Sequence, residues 1–265
     1  MHEYNYHRPS TVNDAATLAA KNAEGKLLAG GQSLVQAMKL RLSAPTDLID
    51  LGALGELRGI KSEGGAINIG AMTRHAEVAG SAEIKKAIPA LAYLASQIGD
   101  RQVRNMGTLG GSLANNDPAA DYPAAVLGLG ATVVTNKRKI AADEFFKGLY
   151  ETALQPGEII TAVSFPVPKR AGYVKFKNPA SRFAIVGVLV ADTDKGVRVA
   201  VTGAGPCVFR VPDMEKALGA KFAPDAVGGV KVKADDLNTD LHASAEYRAH
   251  LVTVMAKRAV EAALK

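Results

Sequence analysis

The sequence predicts an α+β protein built of two units, and three observations carry that prediction. Up to Pro168, strand-like and helix-like segments alternate; beyond it, three strand signals follow one another without a helix between them; the chain then closes on a long amphipathic pattern. With 265 residues the chain has material for two domains of moderate size. Pro166 and Pro168 neither extend a central strand nor sit inside a helix, so the boundary is drawn there, giving units 1–168 and 169–265.

The elements follow in order. After Pro9, the residues Val12, Ala15, Ala16 and Ala19 recur at helical spacing, with Thr11 and Asp14 as a capping pair. KLLAG is a short apolar strand that runs into Gly30 and Gly31, and SLVQAMKLRL resumes the helical period with Ser33 and Gln36 spaced as a capping box. TDLIDLG and GAINIGAMT alternate like strands, while AEIKKAIPALAYLASQIG reads as a helix in which Pro89 marks a start or a kink. YPAAVLGLG is helical, ATVVTN is a strand, KRK turns the chain back into IAADEF, and EIITAVSFPVP is again a strand. Past the boundary, YVKFKN, FAIVGVLVADT and VRVAVTGAG predict an antiparallel meander of three strands. From Ser244 onward, Tyr247, Leu251, Val254, Met255 and Ala262 share one face of the closing helix.

Composition narrows the function. The formal charge is +6, from 32 Lys and Arg against 26 Asp and Glu, so a nucleic-acid partner has to be considered. The cations are dispersed in short runs, Lys85-Lys86, Lys137-Arg138-Lys139 and Lys169-Arg170, which suit solvated faces and a hairpin tip. Trp is absent and the aromatic residues do not interleave with cations as a base-stacking platform needs, so no nucleic acid is expected. Cys207 is the only cysteine; this chain alone holds neither an internal disulfide nor an iron–sulfur cluster. The histidines His2, His7, His75, His242 and His250 are scattered, and no metal site is expected. MHEYNYHRPS lacks the apolar core of a signal peptide, and the aliphatic run Ala184 to Ala191 falls far short of the roughly 20 residues of a membrane span. A soluble, cytoplasmic protein is the expectation.

Two glycine-bearing segments carry the chemistry. AGGQS, between a strand and a helix, offers unpaired amides at a helix start where glycine lets an anion come close. A tight turn with Ser33 as N-cap is the alternative. The spacing matches neither the dinucleotide fingerprint nor the P-loop. In RNMGTLGGSLANNDPAAD, read as a second loop, the residues Thr108, Gly110, Gly111 and Ser112 repeat the same amides and hydroxyls, as a diphosphate held by neutral donors from separate parts of a chain requires. Asp121 suits either a ribose contact or an N-cap of the helix after it.

AGGQSL and VRNMGTLGGSLANNDPAAD resemble the two flavin-binding motifs of the FAD-carrying medium subunit of molybdenum hydroxylases, the group of carbon monoxide dehydrogenase and the xanthine dehydrogenases. GAMTRHAEV, PGEII, FAIVGV and SAEYRAHL are similar to the same subunit, so the resemblance covers nearly the whole chain. It implies a PCMH-type, vanillyl-alcohol-oxidase-like FAD-binding domain of two α/β subdomains, followed by a C-terminal domain with a three-stranded antiparallel sheet and helices. It also implies partners: a small subunit with [2Fe-2S] clusters and a large molybdopterin subunit, assembled as a dimer of heterotrimers. The role implied is electron transfer, from the clusters through FAD to an external acceptor, with no catalytic residue for the hydroxylation on this chain. A stand-alone flavin oxidoreductase of the same fold and a flavin-free scaffold are the other readings.

Carried onto this chain, the resemblance assigns the pyrophosphate to Ala29, Gly30, Gly31, Gln32 and Ser33 with Thr108, Gly110, Gly111 and Ser112, adds the flanking Leu28 and Leu34 as cofactor-binding residues, and sets Asp121 at the adenosine or ribitol end. Ile98 falls where an apolar side chain meets the isoalloxazine, or else packs within its helix. Ile160 corresponds to a backbone contact and Lys177 to a lysine near the flavin; Lys175 competes for that place, because KNPASRF departs from the family pattern. Lys177 as a plain surface lysine is the remaining alternative. Gln32 stands where covalent relatives carry histidine, so FAD is expected to be non-covalent.

Overall fold

The computed structural model describes residues 1–265. The chain begins with β1 (Asn5–His7), α1 (Val12–Lys21), β2 (Lys26–Leu28), α2 (Leu34–Lys39) and β3 (Asp47–Asp50). The three strands form a parallel sheet of order β1-β3-β2, with the helices as crossovers. Thr11 Oγ1 accepts the Asp14 N–H at 3.1 Å, so the first helix is capped as predicted. Ser33 departs from expectation: it precedes α2 but makes no capping bond, and the box with Gln36 does not form. Its backbone is already near helical (φ −111°, ψ −56°), whereas a capping side chain needs an extended backbone to fold over the first amides.

Next come β4 (Ile60–Glu63) and β5 (Ala66–Gly70), then short helices α3 (His75–Gly80), α4 (Ala82–Ala87), α5 (Pro89–Ser96), α6 (Arg101–Met106), α7 (Leu109–Asn115) and α8 (Tyr122–Gly128). They are followed by β6 (Thr132–Thr135), β7 (Lys139–Ala141), α9 (Ala142–Phe145), the small hairpin β8 (Phe146–Gly148) and β9 (Glu151–Thr152), and β10 (Ile160–Pro166). Strands of this region build an antiparallel sheet of order β4-β5-β10-β6-β7. Pro89 starts α5 rather than kinking one long helix, because a residue without an N–H loses nothing at a helix start. The stretch Thr108–Asn116 is likewise helical instead of a loop: Thr108 Oγ1 accepts the Gly111 N–H, and Asn116 ends α7 in the left-handed region at φ 44°.

Beyond Pro168, β11 (Arg170–Lys177), β12 (Ala184–Thr193) and β13 (Gly196–Thr202) form the predicted antiparallel meander, extended by the two-residue β14 (Phe209–Arg210) as a fourth strand. Helices α10 (Pro212–Ala220) and α11 (Ala245–Ala263) complete the chain. The buried stripe of α11 is Arg248, Leu251, Val252, Met255, Ala256, Ala259 and Val260. Leu251 and Met255 match the sequence reading, whereas Tyr247 is exposed and Ala262 lies outside the buried stripe. Near its C-terminal end the helix comes so close to β11 that a Cβ on Gly172 would stand 2.1 Å from Ala259 O, so only glycine fits there. No helix is long and apolar enough to cross a membrane.

The main core gathers β5, β10, α5, α7 and α8 together with Tyr173, Leu189, Ala191, Ala200 and Val208 from beyond Pro168. A second core lies between β12, β13, α10 and α11, and a small third one joins the parallel sheet to Met72 and Ile159.

Candidate functional site: two glycine segments in contact

The two segments singled out in the sequence lie against each other. A Cβ on Gly30 would sit 1.9 Å from Met106 O and 2.8 Å from Gly107 Cα, so the first segment rests directly on the end of α6 and only glycine fits. A Cβ on Gly111 would stand 3.5 Å from Ala29 Cβ, and Gly31 takes φ +72°. The segment Gly70–His75, part of GAMTRHAEV, is clamped beside them: Ala71 N–H donates to Thr161 O (2.9 Å), Gly110 N–H to Ala71 O (2.8 Å), Leu109 N–H to Thr73 O (3.1 Å) and His75 N–H to Gly107 O (3.0 Å).

Free donors are distributed unevenly. None of the N–H groups of Gly30, Gly31, Gln32 and Ser33 donates a hydrogen bond within the chain. The second segment has committed most of its amides: Gly110 to Ala71 O, Gly111 to Thr108 Oγ1 and Ser112 to Thr108 O. This corrects the expectation that both segments offer backbone donors alike. Thr108 keeps a free N–H and Ser112 a free hydroxyl, whereas Gly110 serves packing, since a Cβ there would come within 2.6 Å of Ala71 Cβ. Leu28 and Leu34 are half-buried at the two ends of the first segment. A glycine cradle with uncommitted amides and neutral hydroxyls fits the diphosphate of FAD.

Asp121 stands at the N-cap position of α8, yet its side chain caps nothing. The carboxylate, with the residue only 4% exposed, instead receives the Tyr173 hydroxyl at 2.5 Å and Lys175 Nζ at 2.9 Å. Both of the roles read from the sequence, direct ribose ligand and helix cap, compete with these protein donors. Burial pushes the Asp121 carboxyl above its usual range, against the pull of Lys175 and Tyr173. Gly187 makes room for the pair, because a Cβ there would lie 2.6 Å from the Tyr173 hydroxyl. Lys175 is thus the lysine in the buried cluster, its side chain 3% exposed, while Lys177, past the bulge at Phe176 and Lys177, is exposed.

Ile98 is half-buried against the main core, in a turn held by Arg104 Nη1 donating to Ile98 O (2.9 Å) and Gly99 O (3.0 Å) and by Arg182 donating to Gly99 O (3.3 Å). Ile160 opens β10 with its side chain in the main core, so only its main chain remains for contact. Asp117, near the end of the second segment, accepts the Ala119 N–H (2.8 Å) and the Tyr150 hydroxyl (3.3 Å). Two residues escaped sequence reasoning. Tyr173 lies two positions before Lys175 on the same strand face, a period-two signal that could have found it. His75 is buried beneath Gly107, with its ring 5.3 Å from that of Tyr122.

Comparisons with known proteins agree with this geometry. Residues 2–168 match the family model described as the FAD binding domain in molybdopterin dehydrogenase. The nicotine 6-hydroxylase medium subunit of Paenarthrobacter nicotinovorans is 36% identical, over 96% of this chain and 95% of that one. The carbon monoxide dehydrogenase medium chain of Hydrogenophaga pseudoflava is 34% identical, over 98% and 96%. In a solved structure of carbon monoxide dehydrogenase from the same organism, one lacking the Mo-pyranopterin moiety, a chain superposes with a TM-score of 0.90 at 35% identity, covering 99% of this chain and 97% of that one. The contact of the glycine segments and these likenesses together establish that the chain belongs to the FAD-binding domain family of the molybdopterin dehydrogenases.

Proposed function

We propose that the chain is the FAD-carrying electron-transfer subunit of a molybdenum-containing hydroxylase. The observation that carries this reading is the seating of Gly30 on Met106 and Gly107, which unites two donor segments into one cradle. When bound, FAD exchanges electrons singly or in pairs and so links one-electron carriers to a two-electron acceptor. The chain's own part is to hold and tune that group: Leu28 to Leu34 with Thr108 and Ser112 at the diphosphate, Gly110 and Gly111 as the packing that sets Thr108, and Ile98, the Ile160 main chain and Lys175 toward the flavin. Lys175 replaces Lys177 in this assignment, with Asp121 behind it. Gln32 leaves the attachment non-covalent.

The chain is one subunit of a multi-subunit enzyme, as the medium chains and subunits among its relatives are named. An iron–sulfur subunit and a molybdopterin subunit, in a dimer of heterotrimers, are the partners we assign; a single cysteine, Cys207, supports placing the clusters elsewhere. The division into 1–168 and 169–265 is supported by the extent of the family match and by the separate core of α10 and α11.

The test is FAD binding by the purified full-length chain, followed by flavin fluorescence. Gly30→Ala forces the two segments apart and is expected to weaken FAD at least a hundredfold while the circular dichroism spectrum stays folded. Wild-type affinity in that variant overturns the site. Reduction of the flavin only when the iron–sulfur and molybdenum subunits are added supports the electron-transfer role, and turnover of a substrate by this chain alone contradicts it.

A further inference from the structure

The segment that carries Asp121 is seated on the sheet beyond Pro168. Gly203 N–H donates to Pro118 O (2.8 Å) and Ala184 N–H to Ala119 O (3.3 Å). The Thr202 hydroxyl, fully buried, is shared between Pro118 O (3.0 Å) and Ala120 O (2.6 Å). Behind these strand ends lies Arg248 of α11, buried, with Nη1 on Ile185 O (2.6 Å) and Gly203 O (3.0 Å) and Nη2 on Asp240 (2.7 Å). Arg248 therefore fixes the ends of β12 and β13, and those ends fix Pro118, Ala119 and Ala120. A buried threonine whose only hydrogen goes to two carbonyls of a distant segment has a positional task; valine fills the same volume without one.

We propose that Thr202 and Arg248 are positioning residues of the cofactor site. Through Pro118–Ala120 they set the place of Asp121, and through Asp121 that of Lys175. This rests on the reading that the Asp121 and Lys175 cluster belongs to the FAD site. The C-terminal sheet and helix then control affinity and potential of a cofactor whose diphosphate-binding segments both precede Pro168.

The experiment strips FAD from the full-length chain, retitrates it by flavin fluorescence, and measures the midpoint potential of the bound flavin. Thr202→Val is expected to weaken FAD about tenfold and to shift the potential, and Thr202→Ser to restore both. In an Asp121→Asn background, Thr202→Val adds less than about twofold, because the two residues act in series. Arg248→Lys keeps a charge toward Asp240 but gives up the fork; the same non-additive loss is expected, and this variant decides the matter should Thr202→Val not fold. A loss undiminished in the Asp121→Asn background, or no loss in either variant, overturns the proposal. If Asp121→Asn alone leaves affinity and potential unchanged, the assignment of Asp121 to the cofactor site fails first and the positioning roles fall with it.

Discussion

His75 lies under Gly107, where a Cβ would meet its Nε2 at 2.6 Å, and its Nδ1 has no hydrogen-bond partner. Burial, with Arg104 nearby, pushes its pKa down to about 4 from an ordinary 6.5. The folded ring is thus neutral at pH 5 while the unfolded one is charged. Its contribution to stability is complete above pH 6.5 and is lost as the pH falls toward 4, which amounts to about 2 kcal/mol between pH 7 and pH 5. Urea unfolding at those two pH values should show this loss in the wild type and a smaller one in His75→Phe; equal losses would contradict it. Local chemistry was only partly legible. The Thr11 cap was readable because it is completed within a turn of chain, and Pro89 was narrowed to a start or a kink, whereas the equally local Ser33 cap fails on its near-helical backbone. The partners of Asp121 were not readable, because Tyr173 stands 52 residues away and is brought in by strand pairing.

Among the elements, α7 shows why local signals fail at the site. Its two glycines cost roughly 1 kcal/mol each in helix propensity, so the sequence reads as a loop. Packing overrides that preference, since Gly110 admits Ala71 and Thr108 caps the turn. The PGEII segment before β10 teaches the converse: a family motif can be structural. Glu158 accepts from Gln155 N–H (2.9 Å), Thr135 Oγ1 (2.8 Å) and Arg138 Nε (2.9 Å), joining the turn between β6 and β7 to the start of β10. The Arg138 hydrogen bond, with those from Gln155 and Thr135, holds the buried carboxyl down to about 2. The folded pKa lies below the unfolded one, so this stabilisation is complete above about pH 4.5 and is lost as the pH falls toward 2. Glu158→Gln should cost about 2 kcal/mol at pH 7, below the roughly 3–5 kcal/mol of a fully buried pair because Arg138 is 42% exposed and rehydrates. The gap to wild type, read from urea midpoints, should narrow below pH 4.5; a gap independent of pH would show that the charge is not what matters.

At the scale of the molecule, the change of composition at Pro168 marks where a sheet begins, but not what that sheet covers. Apolar periodicity reveals that a face is buried without naming its partner, and here the partner crosses the boundary. Every residue of α8 is buried, so the helix needs cover on more than one side. Part of that cover comes from Leu189 of β12, whose Cδ2 would lie 2.5 Å from a Cβ on Gly128. Arg198 adds polar ties across the same junction, to Leu127 O at 2.9 Å and to Asp143 at 2.8 Å. Removing 169–265 strips Tyr173, Leu189, Ala191, Ala200 and Val208 from the main core and leaves Asp121 without Lys175 or Tyr173. A core shared in this way ties the stability of the two regions together. Thermal unfolding of the full-length chain, followed at once by far-ultraviolet circular dichroism and by release of flavin fluorescence, should therefore give one coincident transition, and a fragment ending at Pro168 should not fold or retain FAD. Two separated transitions, or a folded, yellow 1–168 fragment, would show that the family-matched region stands alone and that the shared core is dispensable.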